Sequence, residues 1–265
     1  MNRFFLYFLL VVIGGITLSW IDGNSSLANF AIDIVAASAI ILLEKIFENA
    51  RYIWMWILTH TFHARRKIRL SISYLFKIKV DGKYLLVKGN RIPNQFQPVG
   101  GVFKRYRESF YALERLKVTD DNNVPIDDTS IDDLRVKMPA LNVISFLRWY
   151  KSQLGREVSP YREFYEELIR TEILTQKVFP YLNYIHLKRH ETGIRYSPHF
   201  KCYEILIAEI FEIRPTEEQT AALRELQEKS SDQYVWVSDD AIERKGATPG
   251  GLSTYSISET SEWIL

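Results

Sequence analysis

One cysteine, Cys202, stands in 265 residues, so no intrachain disulfide can form and the chain suits a reducing compartment. Surplus charge of either sign is also missing. A formal charge of +2 gives no basic footprint for polymeric nucleic acid. No G-x-G-x-x-G turn, P-loop or H-E-x-x-H helix occurs, which removes the dinucleotide, P-loop and zincin readings. Internal repeats and low-complexity tracts are absent too, so a solenoid or a disordered chain is excluded.

Uncharged runs, by contrast, are plentiful at the start. Residues 4–21, "FFLYFLLVVIGGITLSWI", carry no charge, and about 20 apolar residues cross a hydrocarbon core. A second run, 28–47, is apolar apart from Asp33 near its start and Glu44-Lys45 near its end. An aspartate at mid-membrane costs about 2.5–3.5 kcal/mol, but Asp33 lies only about a turn inside, where headgroups reach it. Two readings stand. Either the runs form a two-helix membrane hairpin, or the first is a cleaved signal or a buried core helix, with "SLA" at 26–28 as a cleavage-like site. The connector between the runs has no Lys or Arg, whereas Arg51, Arg65, Arg66, Lys67 and Arg69 follow the second. The positive-inside rule therefore gives a two-pass protein with both termini cytoplasmic. Tyr52, Trp54 and Trp56 ahead of that basic cluster suit a juxtamembrane helix, up to about residue 66, resting on anionic lipid.

From about residue 67 the pattern alternates. "IRLSISYLFKIKVDGKYLLVKG" predicts a hairpin turning at Asp81-Gly82. Pro93, Pro98 and Gly100-Gly101 mark a loop leading to another short strand. Thr119–Asp133 is acidic and polar, expected as a solvated excursion because its order fits no EF-hand. Two strands are expected around Gly193, with His186 and His190 on one strand face. A helix over "TEEQTAALRELQEK", a strand at "YVWVS" and a closing helix at "SETSEWIL" follow. Strands and helices mix too irregularly for a parallel doubly wound sheet, so the expectation is an α+β domain over 67–265 behind the N-terminal hairpin of 1–66.

The stretch "VSPYREFYEELI" (158–169) carries the chemistry. Ser159 as N-cap and Pro160 at the first position start a helix. On it Glu163, Glu166 and Glu167 share one side, and Arg162 stands four before Glu166. Such carboxylates suit Mg²⁺, which takes oxygen ligands from one or two side chains plus substrate phosphates. Acidic helical faces are also common as plain solvated surface, and spacing alone leaves both readings open.

"REFYEELI" resembles the helical half of the Nudix box, R-E-U-x-E-E, with Phe164 in the U place. "FQPVGGVF" resembles its opening strand and double glycine, and "YEILIAEIFEI" with "YVWVSDDAIE" resembles later Nudix strands. The spacing departs from the family: Gly101 and Arg162 are tens of residues apart, the box glutamate six after the glycine is replaced by Arg107 beside Glu108, and "LIRTE" replaces the glycine after Glu-Glu. Together with the apolar start, the chain resembles the membrane-anchored, SMODS-associated Nudix effectors of bacterial cyclic-oligonucleotide antiphage signalling (CBASS). That resemblance implies a partner nucleotidyltransferase that makes a cyclic nucleotide, a domain that senses it, and homo-oligomeric assembly that damages the inner membrane. Candidate ligand contacts are Arg91, Gln95, Arg107 and Arg195 for phosphates, with Tyr84 and Tyr196 for stacking. The alternative is a membrane-tethered hydrolase of a nucleoside-diphosphate-linked substrate, with Glu163 as base held by Arg162 and Glu166 and Glu167 on Mg²⁺.

Overall fold

A computed structural model describes residues 11–13, 26–89, 92–122, 130–247 and 255–265. The chain divides into two units, residues 1–64 and 65–265.

In the first unit a single helix, α1 (Ser26–His60), runs for 35 residues. It passes without a break through the expected end of the second apolar run at 47 and through the expected juxtamembrane helix, so those two are one element. No glycine or proline interrupts 26–60, and Ala, Leu, Ile and Glu sustain the helix. Among the described residues no helix is long and apolar enough to cross a membrane. The first expected span, 4–21, lies outside the described residues except at 11–13. Along α1, Ile40, Leu43, Phe47, Trp54 and Trp56 are exposed.

The second unit is a mixed α/β domain with two mixed sheets. The larger has the order β6 (Thr119–Asp120), β7 (Arg135–Pro139), β1 (Lys67–Lys77), β10 (Cys202–Ile213), β8 (Tyr184–Glu191). In addition β5 (Gly100–Val102) pairs with β1 and β9 (Arg195–Ser197) with β10. Only β1 and β10 run parallel in it. The smaller sheet has the order β11 (Tyr234–Val237), β3 (Lys83–Lys88), β4 (Gln95–Pro98), β12 (Ser256–Ile257), with β2 (Lys79–Val80) on β3. The expected hairpin forms, with Asp81 and Gly82 both at positive φ, but β1 stays in one sheet and its partner β3 in the other.

Period-2 alternation builds the core. Ile68, Leu70, Ile72, Tyr74 and Phe76 point to one face of β1 and are fully buried. Two helices follow on the chain, α2 (Phe110–Arg115) and α3 (Val143–Ser152), and the second buries Val143, Phe146, Leu147 and Tyr150. On the other face Leu75, Ala208 and Ile210 pack with Tyr84, Leu86, Phe96, Ile257 and Ile264 of the second sheet and the C-terminal turn. Each such large side chain contributes about 1.5–3 kcal/mol by leaving water.

Two expectations are corrected here. Gly193, at positive φ, does not reverse the chain. It kinks one long arm, β8 then β9, and the reversal onto β10 falls at 198–201. A register shift between Ile210 and Phe211 then separates the two histidines. The extra residue in β8 interrupts the alternation and puts residues four apart on opposite faces, so His186 meets Glu209 at 2.8 Å whereas His190 stacks on Trp263 with ring centroids 4.4 Å apart. The acidic stretch 119–133 is also not wholly solvated. Asp121 and Asp133 are buried because Arg69, Lys137, Lys104 and Arg135 meet them. α5 (Glu217–Glu228) begins with the full capping box Thr216/Gln219, and the closing segment is a 3-10 turn, Glu259–Ile264.

Candidate functional site

The helix of the acidic motif begins one residue later than expected. α4 (Tyr161–Phe164) follows Pro160, and the Ser159 hydroxyl accepts the Tyr161 N–H at 3.3 Å. The chain then widens into a π-turn, Tyr165–Ile169, with Arg170 N–H bonded to the Tyr165 carbonyl at 2.8 Å. Such turns are rare and recur at functional sites. Phe164 anchors the segment by packing on Phe76 and Phe179, with ring centroids 5.7 and 5.8 Å apart.

This anchoring sets the carboxylates against the double glycine. Gly100 N–H donates to Glu167 Oε2 at 2.8 Å. Gly100 itself has φ +148, and a Cβ there would collide with the Tyr74 carbonyl. A Cβ on Gly101 would overlap the Glu163 carboxyl, so the second glycine makes room for that side chain. Beneath them the buried Tyr74 hydroxyl accepts the Glu163 N–H at 3.4 Å.

Arg162 is the hub. Its Nη1 donates to Glu163 Oε1 at 2.6 Å and to Glu166 Oε2 at 3.3 Å, and its Nη2 donates to the Val102 carbonyl at 3.0 Å. Both oxygens of Glu157 receive it as well, at 3.0 and 3.2 Å. Glu157 also accepts the Lys104 N–H at 3.1 Å. It is therefore the carboxylate that the sequence seemed to lack near Arg107 and Glu108, both of which are exposed in a 3-10 turn. The fold explains the transposition. Lys104 and Tyr106 pair antiparallel with Glu157 and Gly155 through bonds of 2.8 Å, which closes residues 107–154 into an excursion whose ends meet. Closing a longer loop adds little entropy cost, so an insertion here leaves the site's geometry standing.

The electrostatics follow from crowding. Burial, helped by Glu163 and Glu166, pushes the Glu167 carboxyl up to about 8 against the pull of the Gly100 N–H. Burial also raises Glu163, with Glu166 and Asp133 adding to the shift and Arg162 opposing it. Burial works against the Arg162 charge, yet the Glu157 bond and the Glu163 field override it and hold the guanidinium protonated. Asp133 is raised by burial despite Lys104 and Arg135.

These donors are hard oxygens, the type Mg²⁺ selects. Surplus carboxylate kept neutral by protons is also what a divalent cation would ionise. Glu166 and Glu167 fit such an ion chemically. Among the described residues, no group of three or more His, Cys, Asp or Glu forms a metal cage, and Mg²⁺ commonly takes only one or two carboxylates.

The expected ligand contacts do not converge. Arg91 lies outside the described residues. Gln95 opens β4 and pairs with Ser256 in the smaller sheet. Arg195 lies on β9 and bonds Glu204 at 3.1 Å, and the exposed Tyr196 beside it meets Tyr203 edge-on. Tyr84 is a correction: it is fully buried, with Lys79 bonded to its hydroxyl at 2.9 Å, so its ring cannot stack on a base.

Compared with known families, residues 67–265 match a family model described as "SMODS-associated NUDIX domain". No curated protein matches the chain.

Proposed function

The chain belongs to the SMODS-associated NUDIX family, and from that premise we propose that it is a cyclic-nucleotide-gated effector of antiphage defence. Family membership links it to the CBASS-associated Nudix effectors. In this reading a partner nucleotidyltransferase makes a cyclic nucleotide, and the Nudix-like domain binds it. The apolar segments 4–21 and 28–47 then assemble as a homo-oligomer in the bacterial inner membrane and disrupt it. Ligand binding drives that assembly only by favouring the assembled state.

The observation that carries sensing ahead of turnover is the family match over residues 67–265, which supports a cyclic-nucleotide partner. Arg162 meets both oxygens of Glu157 and one oxygen each of Glu163 and Glu166, which holds the cluster in place and leaves each of those two carboxylates an oxygen for a ligand or metal. When bound, Mg²⁺ would supply neutralising charge for a phosphate, with Glu166 and Glu167 as its protein ligands. Arg162 and Glu157 orient the helix, and Tyr74 supports the Glu163 backbone. Light scattering of the full chain with a panel of cyclic di- and trinucleotides tests the proposal. An increase in particle size with one of them supports it, and no binding and no size change with any would count heavily against it.

A second reading, the membrane-tethered hydrolase, draws on the gathering of Glu163, Glu166 and Glu167 beside Gly100-Gly101. It predicts Mg²⁺-dependent release of a nucleoside monophosphate, abolished by Glu166→Gln combined with Glu167→Gln. Full toxicity of that double variant in cells would favour the effector reading.

A further inference from the structure

The base of the 107–154 excursion carries exposed apolar groups beside the Arg162 hub. Tyr106 is 48% exposed, Phe110 47% and Leu154 73%. Their proximity follows from the pairing. Tyr106 N–H donates to the Gly155 carbonyl at 2.8 Å, and Ser109 N–H to the Tyr106 carbonyl at 3.0 Å. Ser109 packs so closely on Gly155 that a Cβ there would press into it. Leu154 precedes Gly155, and Phe110 follows Ser109, so the backbones of all three residues lie at this junction.

Directly opposed residues of an antiparallel pair point to the same face. Lys104 opposes Glu157, and Tyr106 stands two positions along the same extended segment, so it lies on the face that carries Glu157, which holds Arg162. The partner of Tyr106 in the pair, Gly155, has no side chain to cover the ring. No described ring or cation stacks on Tyr106. Arg107, next in sequence, is exposed and forms no ion pair with any described residue. Phe110 already carries the Arg105 guanidinium at 5.7 Å from its centroid.

An uncovered aromatic ring, apolar flanks and a free guanidinium together suit a nucleotide. The ring takes a base face, and the cation takes a phosphate. We infer that Tyr106, with Phe110 and Leu154 beside it in the fold, is the base-stacking platform for a nucleotide whose phosphate is taken by Arg107, the next residue in sequence. This deepens the sensing reading and rests on it. Tyr106 takes the part that the buried Tyr84 cannot.

The test uses the full chain in detergent with three kinds of probe: the cyclic di- and trinucleotide panel, ADP and inorganic pyrophosphate. Stacking is worth about 1–3 kcal/mol per base, so Tyr106→Ala should weaken the base-bearing probe by about tenfold or more. Tyr106→Phe should stay within about threefold of wild type, and pyrophosphate should bind all three proteins alike. Equal affinity of wild type and Tyr106→Ala for the base-bearing probe overturns the platform while leaving sensing intact. Equal weakening of pyrophosphate also overturns it, because the ring would then be supporting the phosphate site. Wild type that binds none of the probes overturns sensing and the platform together. If Tyr106→Ala changes only particle size or adhesion to phosphatidylglycerol vesicles, the patch serves a second copy or lipid, and the platform is wrong.

Discussion

Arg69 and Arg162 both gather carboxylates, but they differ in charge balance and in access to water. Arg69 is almost dry and bonds Asp121 and Glu204, which are equally buried. Lys137 and Arg195 bring further positive charge to the same two carboxylates. Lys137, Arg69, Glu204 and Arg195 lie side by side across four neighbouring strands, β7, β1, β10 and β9. Arg162 is about a quarter exposed and serves Glu157, Glu163 and Glu166, with Glu167 in their field. The first network is closed by its own cations and ties the excursion to the sheet. The second is short of positive charge and makes up the deficit with protons, which leaves room for an incoming cation or ligand. The same residue type is a clamp in one place and a poised site in the other.

The comparison breaks most sharply on stability. Removing one partner from a buried pair strands the other charges and costs about 3–5 kcal/mol. Arg69→Met should therefore lower Tm by roughly 10 °C for a domain of this size, read by calorimetry. Arg162→Met should cost less than half as much, since its carboxylates can take up protons or water. Equal losses would erase the distinction between clamp and site.

A smaller effect separates the networks by pH. The folded Glu167 binds its proton up to about 8, well above the ordinary carboxylate value near 4.5. Between those values the folded state holds more protons than the unfolded one, so stability falls as pH rises. Tm should decline between about pH 5 and about pH 8, and Glu167→Gln should flatten that slope, whereas Arg69→Met, which strands two further buried carboxylates, should not flatten it. Millimolar Mg²⁺ should raise Tm at the upper end of this range and not at the lower, because protons and metal compete for the same oxygens.

Gly101→Ala should have the least effect on folding. The added methyl meets the end of the Glu163 side chain, which can swing away, so the change in stability should stay under about 1 kcal/mol. The Mg²⁺ response in Tm should nevertheless shrink, since the carboxylate cluster has been displaced.

Much of this was legible in local sequence. Asp81-Gly82, the capping residues of α5 and the alternation of β1 and β10 each specify a local geometry, and each element forms where those residues stand. Arg162, Glu163, Glu166 and Glu167 come together because a single helical segment carries them. What escaped depended on pairing between distant residues. Glu157 entered the site because Lys104–Tyr106 pairs with Gly155–Glu157, and no local pattern encodes that register. The bulge between Ile210 and Phe211 parted His186 from His190, although their spacing along an ideal strand puts them together. Tyr84 read as an exposed aromatic because β3 alternates weakly; both sides of that strand are covered, and Tyr84 to Val87 are buried in sequence.

Binding without turnover is the central claim, and recovery of the ligand tests it most directly. The full chain is incubated with Mg²⁺ and the cyclic nucleotide that enlarges it, and the nucleotide is then extracted and resolved by chromatography. The account predicts intact cyclic nucleotide in an amount matching the bound protein. Mg²⁺-dependent appearance of nucleoside monophosphate, lost in Glu166→Gln with Glu167→Gln, would contradict it.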